Sequence, residues 1–294
     1  MSSLLKMFLA TTASVTTASL LLLYKYQLKL IYPSGLNDAR APGAFHSTPQ
    51  EYEIPYEDLY LETEDGVKLH AFLCLQDPKS PDYQNKTVLI LNPNAGNIGL
   101  AVPTVYNFYQ LGFNVFIYDY RGYGLSTGES TEIGLKKDTE TVMEYINEHD
   151  QLNKSLVILY GRSLGGAVAI HIASKNYELV KGVILENTFL SLRKNIPHVF
   201  PFLKYVATLC HQLWDSETAI SKIDPNVKML FLGAELDEIV SPDHMKKLYE
   251  LANVGDRYEK FVLFQGFHHN DTTLAPGYWD IISDFIDLID SKEN

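Results

Sequence analysis

The sequence predicts an α/β architecture in which a mostly parallel sheet carries helices on both faces. Two observations support this. The chain has 294 residues, 46% of them hydrophobic and 12% aromatic, which suffices for one large core. After one hairpin, runs of strand length then alternate with helix-period segments, the signature of a sheet built by crossover connections.

The N-terminus stands apart from that pattern. Residues 7–24, MFLATTASVTTASLLLLY, are uncharged and bracketed by Lys6 and by Lys25 and Lys29. As a helix they would reach about 27 Å, enough to cross a thin hydrocarbon core. An uncleaved membrane anchor over residues 1–29 is the expectation, with a cleaved signal peptide and a mitochondrial presequence as competing readings. No small-residue cleavage site directly follows the four leucines at 20–23, which favours the anchor. Both flanks are positive, so charge leaves the orientation open. The expected location is a single-pass membrane protein of the endomembrane system, with a mitochondrial membrane as the other reading.

The second unit spans residues 30–294. Segments 59–63 and 67–75 form the hairpin around Asp65-Gly66, the turn chemistry of a type I′ loop. Strand 88–91, a helix near 102–111, strand 114–118 and helix 132–149 follow. The last helix sets Leu135, Val142, Met143 and Ile146 on one face. Strand 155–160, helix 164–175 and strand 180–185 come next, then the segment 187–215, apolar and interrupted by Pro197 and Pro201. That segment reads as a short cap over the active-site end, or as an ordinary packed insertion. Strand 229–233, a helix at 242–252 opened by Ser241-Pro242, strand 259–264 and a helix near 278–289 complete the series.

Net charge is −12, but residues 1–40 hold Lys6, Lys25, Lys29 and Arg40 against Asp38; that segment is +3 and the remainder −15. An acidic remainder disfavours nucleic acid as a partner. Cys74 and Cys210 form no disulfide framework and have no metal-ligand spacing, so they are expected to be buried apolar thiols. Neither a cofactor nor a metal is expected.

The chemistry is expected at LYGRSLGGA, residues 159–167. Ser163 sits between an aliphatic strand and a helix of small residues, flanked by Gly161 and Gly165, which let strand and helix approach closely. This is the G-x-S-x-G nucleophile elbow, with the serine hydroxyl at its tip. The hydroxyl attacks only if an imidazole takes its proton, and the imidazole needs a carboxylate to hold its tautomer. QGFHHNDTT offers His269 or its neighbour His268, with His269 preferred. LGAELDEIVSP offers Asp237, with Glu235 and Glu238 as alternatives. Serine, acid and histidine follow strands in the order of an α/β-hydrolase. For the oxyanion hole, the amide of Leu164 directly follows the nucleophile. In LNPNAGNIG, Pro93 has no N–H, so Asn94 is the nearest second donor.

Six stretches, NPNAGN, YDYRGYGLSTGES, YGRSLGGAVA, ENTF, DEIV and HNDT, lie in order between residues 92 and 272. Together they resemble the membrane-anchored α/β-hydrolase-domain proteins of the bud-emergence type, over about residues 30–289. The resemblance implies an N-terminal anchor, a triad of Ser163, Asp237 and His269, and acyl-ester or acyl-thioester substrates. The expected substrates are thus an acylated lipid, a small ester or a lipidated protein. The chain departs from the family at Asn92-Pro93, where many relatives carry His-Gly, and at Phe267, where they usually carry Gly. A catalytically silent scaffold for binding or polarity signalling is a second function class, and a serine peptidase a residual enzyme reading.

Overall fold

The computed structural model describes residues 3–36, 39–41 and 46–289. Asp38 of the N-terminal charge count and the last five residues of the expected second unit lie outside the described residues. Among the described residues, eight strands form one sheet in the order β1-β2-β4-β3-β5-β6-β7-β8. The strands are β1 (Glu57–Glu62), β2 (Lys68–Cys74), β3 (Lys86–Leu91), β4 (Asn114–Tyr118), β5 (Leu156–Arg162), β6 (Val180–Glu186), β7 (Lys228–Ala234) and β8 (Glu259–Phe264). β2 runs antiparallel to β1 and to β4, whereas β3 to β8 are mutually parallel.

The strands are apolar on both faces because each face meets helices. Val157 and Leu159 enter one core, whereas Ile158 and Tyr160 enter the other. Three helices on the first face are α3 (Glu132–Glu148), α4 (Leu164–Ala173) and α7 (Pro242–Ala252); α2 (Val102–Gln110) and α8 (Tyr278–Asp287) cover the second. The expected face of Leu135, Val142, Met143 and Ile146 is buried. Burial also pushes the Cys74 thiol up to about 12, so that sulfur is inert at neutral pH.

The hairpin turn differs from a type I′ loop. Gly66 takes φ +76, but Asp65 does not have positive φ, and the Gly66 amide donates to the Thr63 carbonyl. The three-residue loop 64–66 closed by a left-handed glycine is the turn plus bulge seen in longer hairpins. The turn is also tied to a distant loop: the Arg121 guanidinium donates to both carboxylate oxygens of Asp65.

The N-terminal helix α1 spans Ser3–Ile31, longer than the uncharged stretch that predicted it, and runs past residue 29. Its part from Met7 onward is long and apolar enough to cross a membrane. The last turns are built into the rest of the molecule. The Gln27 side chain accepts the His211 amide at 2.9 Å and donates to the Leu209 carbonyl at 3.3 Å. Just beyond the helix, buried Tyr32 accepts from Trp214 Nε1 at 2.8 Å and donates to Gln212 at 3.1 Å. All four partners lie in segment 187–215. Within that segment α5 (Leu192–Val199) runs through Pro197 and ends before Pro201, and a further short helix, α6 (Ser216–Ile220), follows.

Candidate active site

In the sheet order β4-β3-β5 the chain leaves β3 in one direction and later resumes on the other side. The carboxyl ends of β3 and β5 therefore open a crevice between their loops, the position where parallel sheets bind ligands. Ser163 directly follows β5 in that crevice with φ 54 and ψ −118, an uncommon conformation for a residue with a Cβ. Strain of this kind costs roughly 1–3 kcal/mol and persists only where the surroundings enforce it. Here they do. The Ser163 amide donates to the Glu186 carbonyl at 2.9 Å, and the Ser163 carbonyl accepts from Thr188 Oγ1 at 2.7 Å and from the Gly166 amide at 3.0 Å. The glycines are required for space: a Cβ on Gly165 would lie 1.9 Å from the Leu91 carbonyl oxygen, and one on Gly161 2.3 Å from that of Gly165.

Asp237 and His269 are brought together from the loops after β7 and β8. His269 Nδ1 lies 2.7 Å from Asp237 Oδ2, and both side chains are nearly fully buried. Asp237 Oδ1 accepts the amides of Ile239 and Val240 at 2.9 and 2.7 Å. Such bonds fix the carboxylate in place. The alternatives are engaged elsewhere: Glu238 contacts His268 Nδ1 at 3.2 Å, where both side chains are about half exposed, and Glu235 accepts the Gly266 amide.

Ser163, Leu164 and Asn94 line one cavity of about 230 Å³, together with Ile239 and Val240 from the Asp237 loop. Leu164 is the first residue of α4, so its amide has no carbonyl within the helix to bond. Phe189, Ile196 and Phe200 of segment 187–215 form the opposite wall. That segment, read from the sequence as a cap or a packed insertion, thus lines the cavity on which Ser163 opens. The loop carrying Asn94 is clamped from below: Tyr120 and Tyr123 hydroxyls donate to the Asn92 and Asn94 carbonyls, both at 2.9 Å.

Asn187 is a positioning residue that sequence reasoning left without a role. Its Nδ2 donates to the His269 carbonyl at 3.0 Å and to Thr272 Oγ1 at 2.7 Å, while its Oδ1 accepts the Ala234 amide at 2.8 Å. With its neighbour Thr188 on Ser163, it ties the loops after β5, β6, β7 and β8 into one unit. The ENTF stretch was its only sequence signal.

A family model described as serine aminopeptidase, S33, matches residues 83–225, which include Ser163 but stop before Asp237 and His269. An uncharacterized membrane protein of Saccharomyces cerevisiae is 47% identical over 96% of this chain and 96% of its own. Protein bem46 of Schizosaccharomyces pombe is 42% identical over 93% and 90% of the two chains. Among solved structures, an esterase of Pyrococcus furiosus superposes with a TM-score of 0.71 at 19% identity, covering 86% of this chain and 97% of that one. At such identity the likeness is one of fold.

Proposed function

The chain belongs to the bem46-type family of α/β-hydrolases, and from that premise we propose that it is a membrane-anchored serine hydrolase of acyl esters or thioesters. The observation that carries the reading is the 2.7 Å His269–Asp237 pair, in the loops after β7 and β8 at the same carboxyl edge of the sheet as a strained serine, after β5, that opens on an apolar cavity.

In this reading His269, its Nδ1–H held by Asp237, takes the Ser163 Oγ proton on Nε2 as Oγ bonds to the acyl carbonyl carbon. The carbonyl oxygen becomes an oxyanion facing the Leu164 and Asn94 amides. Collapse breaks the bond to the leaving oxygen or sulfur, which departs with the proton from His269. Water repeats the sequence on the acyl-serine, giving the fatty acid and free Ser163. A lipid, a small ester or a lipidated protein would each meet the apolar wall of Phe189, Ile196 and Phe200 in the same way.

The N-terminal helix supports the anchored, single-pass part of the reading, and the relative named as a membrane protein agrees with it. The proposed compartment is the endomembrane system. Labelling with a fluorophosphonate probe tests the chemistry: the native chain is expected to label and Ser163→Ala is not. Equal labelling of the two would remove Ser163 from the mechanism.

A further inference from the structure

The cavity over Ser163 does not end at the cap. Leu30, Ile31, Ile196 and Phe200 line it and also line a second cavity of about 110 Å³, between α1 and the cap. That second cavity continues past Leu23 and Tyr24 on the helix and past Val206 and Ala207 on the cap. From Ile31 back to Leu23 the helix rises about 12 Å, so the two adjoining spaces, walled in part by the same four residues, line up as an apolar track from the serine along the N-terminal helix.

The surroundings of this track show where it leads. Leu21 and Leu22 on the helix and Phe202 and Tyr205 on the cap are all more than half exposed. Beside them lies a belt of cations and tyrosines: Lys25 and Lys29 over Tyr26 at 5.5 and 5.9 Å, and Lys204 over Tyr205 at 4.8 Å. Lysine and tyrosine so arranged mark the headgroup level of a bilayer, with the residues before Tyr24 on the hydrocarbon side. Helix and catalytic loop are also bonded, since Asn94 Nδ2 donates to the Ile31 carbonyl at 2.9 Å.

We propose that the groove between α1 and the cap is the acyl-chain site, and that it takes long acyl chains directly from the bilayer. This rests on the hydrolase reading above and names its substrate class. The membrane-spanning helix is then also one wall of the specificity pocket. Leu23, Val206 and Ala207 read chain length, whereas short acyl groups fill only the space over Ser163.

The full-length protein in nanodiscs, assayed with p-nitrophenyl esters of two to sixteen carbons, tests this. For the native chain kcat/KM is expected to climb by up to about fourfold per methylene once the chain reaches the groove. Ala207→Trp fills the groove without touching the space over Ser163, and should lower kcat/KM for the sixteen-carbon ester by at least about tenfold while leaving the two-carbon ester within about twofold. A flat chain-length profile, or an equal loss on short and long esters, would overturn the groove while leaving the hydrolase intact. A second measurement needs no turnover: a palmitoyl ester carrying a terminal diazirine, photolysed on Ser163→Ala, should crosslink to residues 23–31 and 196–210, and Ala207→Trp should suppress it. Crosslinks confined to other segments, or unaffected by Ala207→Trp, would overturn the proposal.

Discussion

At His269 one ring nitrogen is committed to Asp237 and the ring itself is buried, whereas the neighbouring His268 points to solvent beside Glu238. His269→Ala is therefore expected to lower kcat at least about a thousandfold, and His268→Ala to stay within about threefold, in ester hydrolysis. A dead His268→Ala with an active His269→Ala would reverse the assignment. A different histidine contributes a pH-linked share of stability. Burial, with Lys136 and Lys175 nearby, pushes the His171 imidazole from 6.5 down to about 4. The unfolded chain takes up that proton as pH falls below 6.5, the folded chain only near 4. The stability linked to neutral His171 is thus complete above pH 6.5 and lost between 6.5 and 4. Relative to His171→Gln, the native chain should lose about 2 kcal/mol between pH 7 and 4.5, read from urea unfolding. A gap independent of pH would refute the shift. That Ser163, Asp237 and His269 follow strand ends was legible, because a hydrolase reading looks for those residue types there. Asn187 was not, because its three bonds join loops far apart in the chain.

The turn from β5 to α4 shows why a local pattern could be read so far and no further. G-x-S-x-G predicted a strand, a turn and a helix, but not that Gly165 presses on the last carbonyl of β3, 74 residues earlier, with no room for a methyl group. Gly165→Ala is expected to destabilise the protein by about 3 kcal/mol through overpacking, whereas Gly35→Ala, with open space around it, should stay within about 0.5 kcal/mol. Equal melting of the two variants would contradict the packing. Apolar runs of strand length marked the inner strands of the sheet, since burial on both faces is written into each segment by itself. Strand order is set by which strand the crossover returns beside, and no single segment carries it. The hairpin turn differed too: Asp65-Gly66 suits a type I′ loop locally, and the Arg121 bond to Asp65 comes from a loop more than fifty residues later. The N-terminal helix outran its uncharged stretch because Lys25, Gln27 and Lys29 do not break a helix, and Gln27 finds its partners on the cap.

Charge and hydropathy divide the whole molecule in two: a helix whose surroundings are positive, and a remainder of net charge −15. The net charge of the remainder makes its own attachment to an anionic bilayer unfavourable, which points to the helix as the source of stable insertion. The helix is suited to that role. Leu9, Val15, Leu21 and Leu22 are exposed along it, and the Thr12 hydroxyl is satisfied internally by donating to the Phe8 carbonyl at 2.9 Å. Retention by hydrophobic insertion makes two demands that electrostatic attachment does not. The full-length protein should remain with membranes in 1 M salt, roughly a 3 Å Debye length, and through alkaline carbonate extraction. Aspartates near the middle of the span should release it, because each costs about 3 kcal/mol at the helix centre on insertion scales. Thr12→Asp combined with Val15→Asp is expected to move the chain to the carbonate supernatant. These sites lie more than two turns before Leu23, the first helix residue of the groove against the cap, so the fluorophosphonate reaction at Ser163 should survive the change. Release of the native chain by salt alone, or retention of the double variant, would refute insertion of the helix and place the source of membrane contact elsewhere on the molecule.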